Sequence, residues 1–177
     1  TKTGAGTQLL SGINTYTVQA GWNSNIEIGN TGATPKATLD MSAVTGALTV
    51  TFYNDGRIVV ENALGDKITA RGIKHFTGGS GANVYVIREG ATLAGNPNGG
   101  SGGINKIVYD TVSTTVADIG LESDGAVAGV LGTVTGIAHV TGGVFGDTFT
   151  GTDGVNSLVG GKGGDTLYGM GGIDSIL

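Results

Sequence analysis

Cysteine is absent from the chain. That excludes disulfides and thiolate metal sites, and it leaves the compartment open. Basic residues are scarce too: nine Lys and Arg stand against fourteen Asp and Glu, for a net charge of −5 and a pI near 4.7. This balance weighs against a nucleic-acid partner. No run comes near the ~18 apolar residues that a membrane-spanning helix needs, so no transmembrane segment is expected. Neither a His-Glu-x-x-His nor a Walker pattern occurs. There is one tryptophan, Trp22; a single aromatic of this kind is ordinary packing rather than a sugar platform.

Glycine is abundant instead, with 36 of 177 residues. That is nearly three times the usual share of ~7%. It follows no three-residue period, which excludes a collagen-like chain. Val, Ile, Leu and Thr fill the intervals, which argues against disorder. Apolar residues alternate or cluster in threes and glycine recurs too closely for a long helix, so the expected fold class is all-β. Only residues 116–134 leave room for a short helical turn.

The last thirty-six residues divide into four gapless nines, GGVFGDTFT, GTDGVNSLV, GGKGGDTLY and GMGGIDSIL. The first place is always Gly. The sixth place holds Asp147, Asn156, Asp165 and Asp174, and the eighth holds Phe149, Leu158, Leu167 and Ile176. Glycines at places one, two and four suit positive φ and close backbone approach. Places seven to nine suit a short strand with one inward side chain. If two nines make one coil, equivalent places recur every eighteen residues. Asp147 then stacks on Asp165 and Asn156 on Asp174, while Phe149 stacks on Leu167 and Leu158 on Ile176. Stacked carboxylates repel unless a cation lies between them. Calcium suits such a place because it takes six to eight oxygens, turn carbonyls included. Ordering a glycine-rich turn is entropically costly, so ion binding and folding are expected to be coupled.

These nines match G-G-x-G-x-D-x-U-x, where U is a large apolar residue, and the array resembles the RTX (repeats-in-toxin) calcium-binding family. The resemblance implies a parallel β-roll, or β-solenoid, at the C-terminal side, with calcium as the ion. It also implies export by type I secretion, through a signal usually found at the extreme C-terminus of the exported protein. The chain starts in neither a signal peptide nor an initiator-Met context and ends on the ninth place of a nine, so a fragment of a longer protein is expected.

Upstream, the octad GIKHFTGG at 72–79 is repeated as GIAHVTGG at 136–143, 64 residues later. Degenerate nines follow at 78–86 and 100–108, with Asn83 and Asn105 at place six. Residues 10–18 resemble the second half of another nine, with Asn14 at place six. These Asn positions carry no charge, and a local turn bond explains them. Two further strands are expected at 47–53 and 57–61 around Asn54-Asp55-Gly56. A hairpin and two coils joined by a tight corner both fit. The expected organisation is therefore a β-rich region with degenerate repeats over 1–135 and a calcium-binding roll over 136–177.

The metal candidates are Asp147, Asn156, Asp165 and Asp174. Phe145, at a place usually held by Gly, disturbs the first turn, and Asn156 lowers the charge of its own side. His75 and His139, the two histidines, lack the further ligands of a zinc site. The literal G-x-S-x-G at 99–103 lacks the strand-to-helix context of a hydrolase elbow. Nothing in the spacing of Arg71, Arg88, Tyr85 and Asp110 demands a sugar-cleaving site. The chain is thus read as no enzyme. The expected function is an extracellular, calcium-stabilised structural module of a surface-layer, adhesin or matrix protein. The expected partners are calcium ions, further copies in a layer or filament, and a surface glycan or lipopolysaccharide. The other class open at this point is the calcium module of a secreted enzyme or toxin whose catalytic domain lies elsewhere; flanking sequence would decide between them.

Overall fold

The computed structural model of the chain describes residues 6–10, 15–30, 37–91, 97–109, 118–120 and 136–177. Asn14, Asp110 and all of 116–134 except 118–120 lie outside the described residues. All the regular structure described is strand, and the fold is all-β. The strands are β1 (Gly6–Leu10), β2 (Thr15–Thr17), β3 (Ile26–Asn30), β4 (Ala37–Asp40), β5 (Leu48–Phe52), β6 (Arg57–Asn62), β7 (Lys67–Arg71), β8 (Ile73–Thr77) and β9 (Val84–Ile87). Then come β10 (Pro97–Asn98), β11 (Lys106–Tyr109), β12 (Asp118–Gly120), β13 (His139–Thr141), β14 (Thr148–Thr150), β15 (Ser157–Val159), β16 (Thr166–Tyr168) and β17 (Ser175–Ile176).

They form one ten-stranded sheet, β1-β3-β7-β6-β5-β9-β11-β13-β15-β17, and two smaller ones, β10-β8-β4-β2 and β12-β14-β16. From β8 onward, successive strands alternate between the large sheet and a small one. Every pairing is parallel except those of β6 with β5 and β7.

That exception settles the choice at Asn54-Asp55-Gly56 in favour of a hairpin. Gly56 has φ 74°. The Tyr53 N–H donates to the Arg57 carbonyl at 3.0 Å, and the Arg57 N–H donates to Asp55 Oδ1 at 3.0 Å. That backbone bond and the Arg71 guanidinium hold the Asp55 carboxyl below its usual range. A second turn at Asn62 returns the chain as β7, where the Asn62 side chain accepts the Leu64 and Asp66 N–H groups. Three antiparallel strands are thus set into a sheet that is otherwise parallel.

The core lies between the large sheet and the small ones. Alternation along each strand sends every second side chain inward. One inward column of the large sheet runs in register through Val50, Tyr85, Ile107, Val140, Leu158 and Ile176. Opposite it stand Tyr16, Leu39 and Phe76 on one small sheet, and Phe149 and Leu167 on the other. The Phe76 ring meets Phe52 and Tyr85 edge-on, with centroids 6.5 and 6.0 Å away. This favoured aromatic geometry ties the two walls together. Burial falls away along this column: Leu158 is fully buried, while Ile176 is 48% exposed.

The two octads share a left-handed first glycine, Gly72 at φ 69° and Gly136 at φ 71°. They nevertheless lie on different walls, since β8 belongs to a small sheet and β13 to the large one. His75 and His139 accordingly belong to different sheets.

Candidate metal centre

Each place-six residue directly precedes a strand: Asp147 precedes β14, Asn156 β15, Asp165 β16 and Asp174 β17. Parallel pairing then stacks them eighteen residues apart in two columns. The Asp147 N–H donates to Asp165 Oδ1 at 2.9 Å, and the Thr166 N–H returns to the Asp147 carbonyl at 2.7 Å. The Asn156 N–H donates to Asp174 Oδ1 at 3.0 Å, and the Ser175 N–H returns to the Asn156 carbonyl at 2.9 Å. The structure thus brings Asp147 together with Asp165, and Asn156 with Asp174. Asp147 and Asn156 are buried, and their partners in the last coil are half-buried.

Within each nine the side chain folds back over the first glycine. Oδ2 of Asp147 accepts the Gly143 N–H at 3.0 Å, and Oδ1 of Asn156 accepts the Thr152 N–H at 2.6 Å. A Cβ at Gly142, Gly151, Gly160 or Gly169 would collide with the place-six side-chain oxygen of its own nine. None of these four has a positive φ. Place one therefore needs glycine for space rather than for backbone conformation: of the two reasons expected for glycine at places one, two and four, close approach holds at place one and positive φ does not. Left-handed residues occur only in the last two nines, at Gly161 (φ 99°), Gly163 (φ 120°), Met170 (φ 66°) and Gly172 (φ 97°). Phe145 is accommodated without one, its side chain 44% exposed.

The same ladder continues upstream with amides. The Asn83 N–H donates to Asn105 Oδ1 at 2.9 Å, and the Lys106 N–H returns to the Asn83 carbonyl at 2.9 Å. Both side chains are buried. Sequence reasoning treated these positions as separate turns, because an Asn in a degenerate nine carries no sign of what lies above it. On the large-sheet side the column runs Asn83, Asn105, Ala138, Asn156, Asp174. Ala138 holds the slot before β13, where its N–H donates to the Asn105 carbonyl at 3.0 Å and its own carbonyl accepts Asn156 Nδ2 at 3.1 Å. Sequence missed Ala138 because a methyl group has no chemical signature at this place.

No protein-family model, curated protein or solved structure matches the chain. Around the point where a Cβ would stand at Gly142, the Gly160 carbonyl oxygen and an Asp147 carboxylate oxygen converge; at Gly151 the Gly169 carbonyl and Asn156 Oδ1 do so. Place-six carboxylates and turn carbonyls are hard oxygen donors of the kind that calcium takes. Among the described residues no three carboxylate, imidazole or thiolate groups gather, so turn carbonyls would have to complete any shell. Ion pairs at Asp55 and Glu61 lie away from the nines.

Two further residues join the site. Tyr109 is buried, and both burial and the nearby negative charge of Asp147 push its phenol pKa up. Asp153, at place three of the second nine, lays its Oδ1 over Gly171 in the next turn, 2.9 Å from the point a Cβ would occupy there. The other residues weighed from sequence do not converge. Tyr85 is in the core, and Arg71 is bound to Asp55 at 3.0 Å. Residues 99–103 form a turn between β10 and β11, with no helix after it. No helix among the described residues is long and apolar enough to cross a membrane.

Proposed function

We propose that residues 136–177 are a calcium-stabilised parallel β-roll of the RTX type, preceded by a less regular solenoid. In this proposal the chain is an extracellular structural module of a surface-layer, adhesin or matrix protein, exported by type I secretion. The observation that carries the reading is the pair of ladders in which Asp165 and Asp174 bond the turns one coil earlier. They bring carboxylates into register with glycine turns whose carbonyls face the same way.

Asp147 and Asp165 would hold an ion on one side of the roll. Asn156 and Asp174 would hold one on the other, where Asp153 makes up for the charge that Asn156 lacks. Calcium supplies charge neutralisation and a many-oxygen shell, while the chain supplies carboxylates and turn carbonyls on strands that set their spacing. An affinity in the ~10⁻⁴–10⁻³ M range of extracellular modules follows. The array then stays unfolded where calcium is scarce and folds where it is plentiful, which suits passage through an exporter. Self-association into a layer or filament, favoured for parallel coils left uncapped, completes the proposal.

Far-UV circular dichroism tests the folding claim: the β signal of the array should fall in chelator and return in millimolar calcium. A β signal unchanged by complete calcium removal would sink it. Electron microscopy tests the structural role. Ordered sheets or filaments are expected with calcium, and dispersed particles under both conditions would overturn the assembly claim.

A further inference from the structure

We infer that the Asn83 side-chain amide does in the upstream coils what an ion does in the terminal ones. This makes residues 78–91 and 97–109 a calcium-independent seat on which the terminal coils form. The first part stands on Asn83 alone; only the dependence of the terminal coils rests on the calcium reading above.

The geometry is specific. Asn83 is fully buried. Its Nδ2 is ringed by three oxygens: the Gly79 carbonyl at 3.1 Å, the Gly99 carbonyl at 2.9 Å and Asn105 Oδ1 at 3.0 Å. Two of these belong to the neighbouring coil. Its Oδ1 accepts the Leu48 N–H at 3.2 Å, which ties the coil to the antiparallel insertion. Asn105 repeats the device one coil on, with Nδ2 donating to the Gly136 carbonyl at 2.7 Å. Turn carbonyls of adjacent coils are thus drawn together by a neutral donor. A carboxylate at the same place has no hydrogen to offer and sets its second oxygen against those carbonyls. The Asp147–Asp165 column is in that situation: around Gly142 and Gly160 the place-six atoms are carboxylate oxygens, and Asp147 Oδ2, which accepts the Gly143 N–H of its own nine at 3.0 Å, offers no hydrogen to the Gly160 carbonyl beside it. Amide and ion are two answers to one problem of facing oxygens, and a fully satisfied buried amide needs no solute to complete it.

The seat also has a defined upper face. Strand β11 pairs with β13, and the Asn105 carbonyl receives the N–H groups of Ala138 and His139 at 3.0 and 3.2 Å. The first terminal strand of the large sheet therefore docks on a surface that calcium does not control. Ala138, with no side-chain donor or acceptor, separates the amide part of the column from the part that ends in Asp174.

Hydrogen-exchange mass spectrometry on the full chain, in chelator and in millimolar calcium, tests this with Asn83→Asp and Asn83→Ala. In wild type, strands β9 and β11 should stay protected in chelator while β14 to β17 exchange at least about tenfold faster than in calcium. Asn83→Asp should lose protection of β9 and β11 in chelator and regain it in calcium, because it offers the same oxygens with no hydrogen. Asn83→Ala should lose it in both. The inference is overturned if Asn83→Asp stays protected in chelator, or if calcium restores it no better than Asn83→Ala. It is also overturned if wild-type β9 and β11 open in chelator together with the terminal strands. Terminal strands equally protected with and without calcium in wild type would sink the calcium reading and the seat, while the two Asn83 variants would still decide what the amide does.

Discussion

Two stacked turn pairs of this molecule have the same backbone ladder and opposite chemistry. Between residues 78–83 and 99–105 the place-six residues are Asn83 and Asn105; between 142–147 and 160–165 they are Asp147 and Asp165. Both pairs send the place-six N–H to the Oδ1 of the place-six residue stacked on it, at 2.9 Å. Both lie on tightly opposed glycine turns. In the first pair the Asn83 amide donates across to the Gly99 carbonyl, and in the second the Asp147 carboxylate accepts the Gly143 N–H of its own turn and donates nothing across. Strand pairing and glycine spacing are therefore held fixed while the place-six side chain changes from an amide to a carboxylate, and on the proposed reading that change is what calls for a cation.

The comparison is broken hardest by removing what both halves share, the core column. Leu158→Ala should cost about 3 kcal/mol, since the residue is fully buried. Ile176→Ala, at the 48% exposed end of the same column, should cost less than about 1 kcal/mol. Urea denaturation in calcium measures both, and equal losses would contradict the tapering core.

The next test separates space from conformation. Gly142→Ala should cost about 2–3 kcal/mol, because its Cβ would strike the Gly160 carbonyl and an Asp147 oxygen. Gly164 has open space around its Cβ and no positive φ, so Gly164→Ala should be neutral or stabilising by up to about 1 kcal/mol. Thermal melts in calcium compare them.

Charge comes third. Asp165→Asn should weaken calcium binding about tenfold by titration calorimetry, or about 1.4 kcal/mol. In chelator the same variant should be no less stable than wild type, because its amide can act as Asn83 does. A loss of stability in chelator would show that the carboxylate serves the ladder in a way an amide cannot.

The smallest effect is conformational. Met170 is the one non-glycine residue at positive φ among those described, at 66°. It stands where the preceding nine has Gly161, at 99°. Met170→Gly should stabilise the last coil by about 1 kcal/mol, read as a rise in melting temperature in calcium.

The terminal half was the most legible in the sequence. Nine-residue spacing predicts eighteen-residue stacking, and Asp147 with Asp165, Asn156 with Asp174, Phe149 with Leu167 and Leu158 with Ile176 all pair as that spacing requires. The hairpin at Asp55 was half legible: turn chemistry marked the corner, but the partner of β6 depends on which neighbours cover it. Close approach at the place-one glycine was legible, but its cause, a side chain five residues later folding back, was not. Nor were the walls of the two octads, because identical local sequence fixes local conformation and not the number of strands laid down before it. Ala138 and the Asn83–Asn105 contact were hidden for a related reason: each has meaning only through the coil next to it.

The ladder bond also has a direction in time. Oδ1 of Asp165 holds the backbone of Asp147, and Oδ1 of Asp174 holds that of Asn156, each reaching back eighteen residues. A turn is thus latched by a residue that comes after it in the chain. Whenever the polypeptide is delivered amino end first, each coil waits unlatched until the next has arrived. The growing end always trails one provisional turn, and the acid that secures it is the last part of the following turn to appear before its strand.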